Sequence, residues 1–209
     1  MAESEYLKYR LNQKLNKLTE KENSEPKEVF PFIEGDRINL VSQISKYIPL
    51  ICKWHNDPEV RHYARFALPT THEHIKKWFE PHSQNSVRDV VFFTIYHKKD
   101  KRPIGSIGFF SINWLNRNAC ISAIIGESEY WEKGIVGEAA NLLIKYGFSE
   151  LNFHKINAGV FNPNNRSLRA AEKLGFKKEA ILKEELYVDG KYVDVHQFAL
   201  FKRDWVREN

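Results

Sequence analysis

Three β-rich runs follow one another with only short charged turns between them, and this limits the fold more than any other feature of the chain. They are Val90–Lys98 (VVFFTIYHK), Pro103–Trp114 (PIGSIGFFSINW) and Ala119–Gly126 (ACISAIIG). Turns this short join antiparallel neighbours, because a parallel crossover needs a dozen residues or more. An antiparallel meander is therefore expected. Helical periodicity begins soon afterwards: Ile135, Ala139, Leu142, Leu143 and Tyr146 form one apolar face of a helix of about 15 residues from Gly134. A strand at His154–Phe161 and a helix from Asn164 or Asn165 to Leu174, stopped by Gly175, come next. Strands Lys178–Val188 and Lys191–Lys202 close the pattern, with Asp189-Gly190 as a strong hairpin signal between them. A meander followed by β-α-β-α and a C-terminal hairpin is an α/β (α+β) architecture on a mixed sheet.

Upstream, Gly35–Val41 reads as a strand and Ser45–Trp54 as a helix with Pro49 in its first turn. Asn56-Asp57-Pro58 reads as a turn, and Thr71–Phe79 as a short helix capped by Thr70 or Thr71. Leu7, Leu11, Leu15 and Leu18 recur at helical spacing, so residues 5–21 read as an amphipathic helix, with Asn23–Pro31 as a linker. Residues 1–30 are thus expected to form an arm, and residues 31–209 a single domain.

The chain of 209 residues is 42% hydrophobic, with 14 Phe, 9 Tyr and 5 Trp, enough for a sizeable core. It has no run near the roughly 20 apolar residues of a membrane span, and its N-terminus is charged rather than signal-like. Cys52 and Cys120 make no disulfide framework. A soluble, cytoplasmic protein is expected. The net charge is +5, and residues 1–30 hold six basic and six acidic side chains, so the excess lies in residues 31–209. So mild a surplus, without a basic stripe, argues against a nucleic-acid partner. His72-Glu73-His74, and His55 with His62, lack the H-E-x-x-H spacing of a zinc site, so no metal is expected.

Gly134 and Gly137 stand at the start of an amphipathic helix, where better helix formers would be more stable. A helix N-terminus carries unpaired N–H groups and partial positive charge, and glycine lets an anion come close to them. A strand, a short loop and a glycine-bearing helix start describe a phosphate cradle. The chain has neither G-x-x-x-x-G-K-[ST] nor G-x-G-x-x-G.

The segment W-E-K-G-I-V-G-E-A (Trp131–Ala139), followed about 25 residues later by N-x-x-S…E-K-L-G-F (Asn164–Phe176), resembles the GNAT acetyltransferase superfamily. The RimJ/RimL-like branch is the most similar, and E-L-Y-V-D-G-K-Y-V-D (Glu185–Asp194) matches it too. The resemblance implies a GNAT-like fold and acetyl-CoA as acetyl donor to a primary amine, either a small amine or a protein N-terminus. It implies cofactor contacts at Ile125, Lys133, Gly134, Ile135, Val136, Gly137 and Asn164, with the pantetheine arm running beside Ala119–Gly126. It also implies Tyr187 and Asp194 at the acceptor pocket, and a homodimer, which the Leu7–Leu18 stripe would seal. Glu132, Val136, Cys120 and Ala171 depart from the usual pattern, and on them rests the alternative of an inactive acyl-CoA-binding or regulatory module.

A primary amine with pKa about 10 is mostly charged at pH 7, so acetyl transfer needs a base for its proton. It also needs oxyanion donors and an acid for the departing sulfur. Glu127, directly after a strand, is the candidate base, with Glu129 second; Ser167, which the resemblance places near the sulfur, is the candidate acid. The ordinary reading of Ser167 and Asn164 is helix capping.

Overall fold

The computed structural model describes residues 29–79 and 87–208. The expected arm helix at 5–21 lies outside them. The meander is present as β3 (Val91–His97), β4 (Arg102–Asn113) and β5 (Asn118–Ile125). It extends an N-terminal pair, β1 (Pro31–Glu34) and β2 (Ile38–Ser42). The run expected as a strand, Gly35–Val41, becomes one only from Ile38, because Gly35–Arg37 turn the chain from β1 into β2 and the Gly35 N–H reaches Asn39 Oδ1 at 3.4 Å. After β5 come α4 (Ile135–Ser149), β6 (Lys155–Phe161), α5 (Asn165–Lys173), β7 (Lys177–Val188), β8 (Lys191–Phe201) and a terminal helix, α6 (Lys202–Glu208). The sheet has eight strands in the order β1-β2-β3-β4-β5-β6-β8-β7, antiparallel except between β5 and β6.

Between β2 and β3 lie α1 (Ile48–Asn56), α2 (Pro58–Ala64) and α3 (His72–Lys77). Pro49 sits in the first turn of α1, where its missing N–H leaves no donor unmatched. The Asn56–Pro58 segment, expected only as a turn, starts a helix: Asp57 Oδ1 accepts from Glu59 and Val60 N–H at 2.9 and 3.2 Å, and Pro58 follows as first helical residue. His55 and His62 are therefore on different helices.

The main core lies between α4 and the sheet, with Phe109, Phe148 and Phe153 fully buried. Each such ring stabilises the fold by about 1.5–3 kcal/mol. The Trp54 ring of α1 packs so closely on Gly126 that a Cβ there would collide with it. This contact fixes the α1–α2 pair at the end of β5.

Candidate active site

β5 and β6 pair only through Asn118, Ala119 and Cys120 with Lys155, Ile156 and Asn157. Beyond these residues the strands diverge, and no described strand fills the gap. The Gly126 N–H donates to the Ile104 carbonyl of β4 at 2.9 Å. Strand alternation therefore turns the amides of Ile121, Ala123 and Ile125 the other way, toward the gap. The Ile125 carbonyl confirms this orientation by accepting from Trp131 Nε1 at 2.8 Å. The gap opens into a cleft of about 860 Å³ walled by β5, the start of α4, one face of α5, and Val60, Tyr63 and Ala64 of α2.

Gly134 caps α4 with φ 74°, a left-handed conformation that costs other residues about 1 kcal/mol or more. No side chain caps the helix, so the N–H groups of its first turn, Ile135 to Gly137, keep their hydrogen-bonding capacity. A Cβ built on Gly137 meets nothing within 4 Å, and Gly137 lines the cleft. Arg37 pins this loop from outside: its Nε donates to Glu138 Oε2 at 2.7 Å, its backbone N–H to Glu138 Oε1 at 2.8 Å, and its Nη1 to the Lys133 carbonyl at 2.8 Å. Burial alone would raise the Glu138 pKa, but the hydrogen bonds from Arg37 and Ile38 and the Arg37 charge hold it below the ordinary carboxylate value.

Across the cleft, Asn164 caps α5, its Oδ1 accepting from the Ser167 N–H at 3.2 Å. Ser167 lines the cleft, and its hydroxyl has no hydrogen-bond partner among the described residues. Arg166 lies over the rings of Tyr63 and Trp131, 5.1 Å from each centroid, and its Nη1 stands 3.5 Å from Glu132 Oε1. The Glu132 charge is thereby offset rather than left facing an anion. Cys120 and Ala171 do not line the cleft; Ala171 is buried in the main core.

The structure gathers Ile125, Gly134, Ile135, Val136, Gly137, Asn164 and Ser167 on one wall or another of the cleft. Other expected residues lie elsewhere. The Lys133 side chain is exposed outside the cleft wall, with its Nζ 5.8 Å from the Tyr130 ring centroid. Glu127 is buried and accepts from Lys53 Nζ at 3.0 Å, Trp54 Nε1 at 2.8 Å and Arg102 Nη2 at 2.7 Å. Burial pushes its pKa up, and these hydrogen bonds and charges outweigh burial and bring it below the ordinary value. A carboxylate so engaged ties α1 to β4 and is a poor proton acceptor. Glu129 is exposed and 3.4 Å from Arg102. Asp194 accepts from Lys183 Nζ at 2.8 Å and the Glu184 N–H at 3.0 Å, closing a bulge in β7, and these bonds lower its pKa. Tyr187 is exposed against Tyr192 at the hairpin. Neither Tyr187 nor Asp194 lines the cleft.

Sequence reasoning missed Arg37, Tyr63, Arg166, Arg169 and Lys173. The Asp57-Pro58 pair was the available signal for α2 and hence for Tyr63. Arg37 gave none, because its partner lies 101 residues away.

Residues 37–177 match the family described as Acetyltransferase (GNAT) domain. The chain belongs to this family. An uncharacterized N-acetyltransferase, p20 of Bacillus licheniformis, is 30% identical over 171 residues, 81% of this chain and 96% of its own length. Spermidine N(1)-acetyltransferase of Escherichia coli (strain K12) is 27% identical over 179 residues, 85% of this chain and 87% of its own. Among solved structures, spermidine N-acetyltransferase from Vibrio cholerae in complex with CoA and spermine superposes with a TM-score of 0.74 at 24% identity, covering 81% of this chain and 98% of that one. That likeness establishes the fold: the forked mixed sheet is the GNAT architecture. Membership makes the protein an acyltransferase that moves an acetyl group from acetyl-CoA to an amine.

Proposed function

We propose that acetyl-CoA lies along the free edge of β5 with its pyrophosphate on the first turn of α4, and that the acceptor is a small cationic amine. The observation that carries the donor half is an uncapped, glycine-bearing helix start beside an unpaired strand edge. Acetyl-CoA supplies an activated acetyl carbonyl. The acceptor nitrogen forms a bond to that carbon, the C–S bond breaks, and the sulfur leaves with its electron pair. The Ala123 and Ile125 N–H groups face the gap and hydrogen-bond the carbonyl oxygen as negative charge develops there. The Ser167 hydroxyl delivers a proton to the departing sulfur. Water takes the proton that the amine loses, since Glu127 is held by three donors. Glu127 is in this reading a positioning residue, and Asp194 and Tyr187 shape the hairpin.

The acceptor class rests on the relatives, several of which are named spermidine N(1)-acetyltransferases. The motif from Trp131 to Phe176 supports a place in the RimJ/RimL-like branch. We place the protein in the cytoplasm and assign residues 1–30 to an arm that seals a homodimer; deleting them should turn a dimer into a monomer in solution, and a full chain that is already monomeric would remove the idea. The acceptor test is CoA release, read with a thiol reagent, over a panel of spermidine, putrescine, an aminoglycoside and peptides with free N-termini. Saturable turnover of the polyamines is expected. Acetylation of peptides alone would overturn the acceptor assignment and leave the donor site standing.

A further inference from the structure

The cleft-lining face of α5 carries more positive charge than a pyrophosphate on α4 uses. Arg166, Arg169 and Lys173 all line the cleft. Their spacing, three and then four residues, stacks them on one helical face, and at about 1.5 Å per residue the row is about 10 Å long. Arg166 is occupied by Glu132 and two aromatic rings. Arg169 and Lys173 are exposed and have no acidic partner among the described residues. A cation in the last turn of a helix is ordinarily explained by the helix dipole, and that would serve Lys173 on any face. The dipole does not account for Arg169, nor for both cations standing on the cleft side.

The cleft also continues past them. A second cavity of about 520 Å³ shares Asn141, Lys173 and Leu174 with the first, and runs on to Phe176 and Trp205. Lys173 thus stands where the two cavities meet.

We propose that Arg169 and Lys173 form a second phosphate subsite that reads the ribose 3′-phosphate of CoA, making the protein selective for CoA over its 3′-dephospho form. The proposal rests on the placement of the pyrophosphate at α4. Ile135–Gly137 and these two cations line one cleft, which continues between Asn141 of α4 and Lys173 of α5, so a donor with its pyrophosphate on the helix start has its nucleoside within that cleft's course. A phosphomonoester carries up to two negative charges and three acceptor oxygens, which suits a guanidinium and an ammonium set one helical turn apart. The second cavity, with the half-buried Trp205 at its end, is left for the base.

The experiment is calorimetric titration of the full chain with CoA and with 3′-dephospho-CoA, for wild type and for Arg169→Ala/Lys173→Ala. Both residues are exposed, and a matched circular dichroism melt verifies that the variant folds. Wild type should bind CoA on the order of tenfold more tightly than dephospho-CoA, in keeping with one or two charge-assisted contacts. The double variant should lose that preference by weakening CoA alone, and Arg169→Lys should retain most of it. Equal binding of the two nucleotides by wild type would overturn the subsite while keeping the pyrophosphate site. So would an equal loss for both nucleotides in the variant. Failure of wild type to bind either one would overturn the placement of the donor itself, and the subsite with it.

Discussion

Gly137→Asp separates the stability of α4 from its work, because the two respond with opposite sign. A side chain at this position meets no protein atom within 4 Å, so the fold has room for it. Replacing glycine in a helix by a residue with a side chain recovers a few tenths of a kcal/mol, and a carboxylate in the first turn adds about 0.3–1 kcal/mol through the helix dipole. For a chain of this size, about 1 kcal/mol raises Tm by about 2–4 °C. Binding moves the other way. The new carboxylate occupies the space through which an anion reaches the N–H groups of Ile135 to Gly137. Loss of one charge-assisted hydrogen bond costs about 1.5–3 kcal/mol, and repulsion at about 4 Å adds at least another 1 kcal/mol. Together they predict at least about a 50-fold rise in the CoA dissociation constant. Thermal unfolding by circular dichroism and calorimetric titration with CoA read the two effects on one preparation. A lowered Tm with CoA affinity intact would refute the assignment of this helix start as the anion site.

Four further outcomes follow from the geometry. Ser167→Ala should lower kcat about a hundredfold in steady-state assays while leaving Tm and the CoA dissociation constant unchanged; a kcat equal to wild type would remove Ser167 as the acid. Glu127→Ala should destabilise by about 2–3 kcal/mol because it leaves the buried Trp54 N–H and two cations without their acceptor, whereas Glu127→Gln should keep the shape of the pH–rate profile, which loss of a general base would change. Glu127 and Glu138 both have folded pKa values below their ordinary value of 4.5, so their contribution is complete above that pH and is lost as pH falls through the folded values; Tm scanned from about pH 6 to pH 3 should fall in wild type and fall less in Glu127→Gln. Glu132→Gly should tighten CoA binding about threefold by leaving the cleft-lining Arg166 charge unneutralised, and a melt should find Tm nearly unchanged, since relief of φ 60° offsets the lost exposed pair with Arg166.

The strands and α4 were legible in the sequence because their apolar spacing is local: each run names its own period. The glycine-bearing helix start was legible for a similar reason, since a positive φ at Gly134 and an open position at Gly137 leave glycines at fixed offsets. The surroundings of Glu127 were not legible because they are set by Lys53, Trp54 and Arg102, brought to it by α1 and β4 across 25 to 74 residues of chain. A carboxylate after a strand looks the same in sequence whether it meets solvent or three donors. The partners of Asp194 were not legible because they depend on register. A shift in β7 between Leu182 and Leu186, with Glu184 at φ 53°, presents Lys183 and a free N–H to it. The row of cations on α5 was present in the sequence at helical spacing, but which face meets the cleft depends on how α5 docks.

The divergence of β5 from β6 has a mechanical consequence. β1–β5 and β6–β8 are each continuous in the chain and are joined through three paired residues on each side. Each half resembles the cover of a book, with that short ladder as part of the spine. A ligand whose extended arm pairs with the open edge of β5 acts as an extra strand and lengthens the spine. In the proposed donor placement, loading ties the two covers over a longer ladder, and release of CoA removes that tie. In that placement the molecule that the protein consumes is, while bound, one of its structural members.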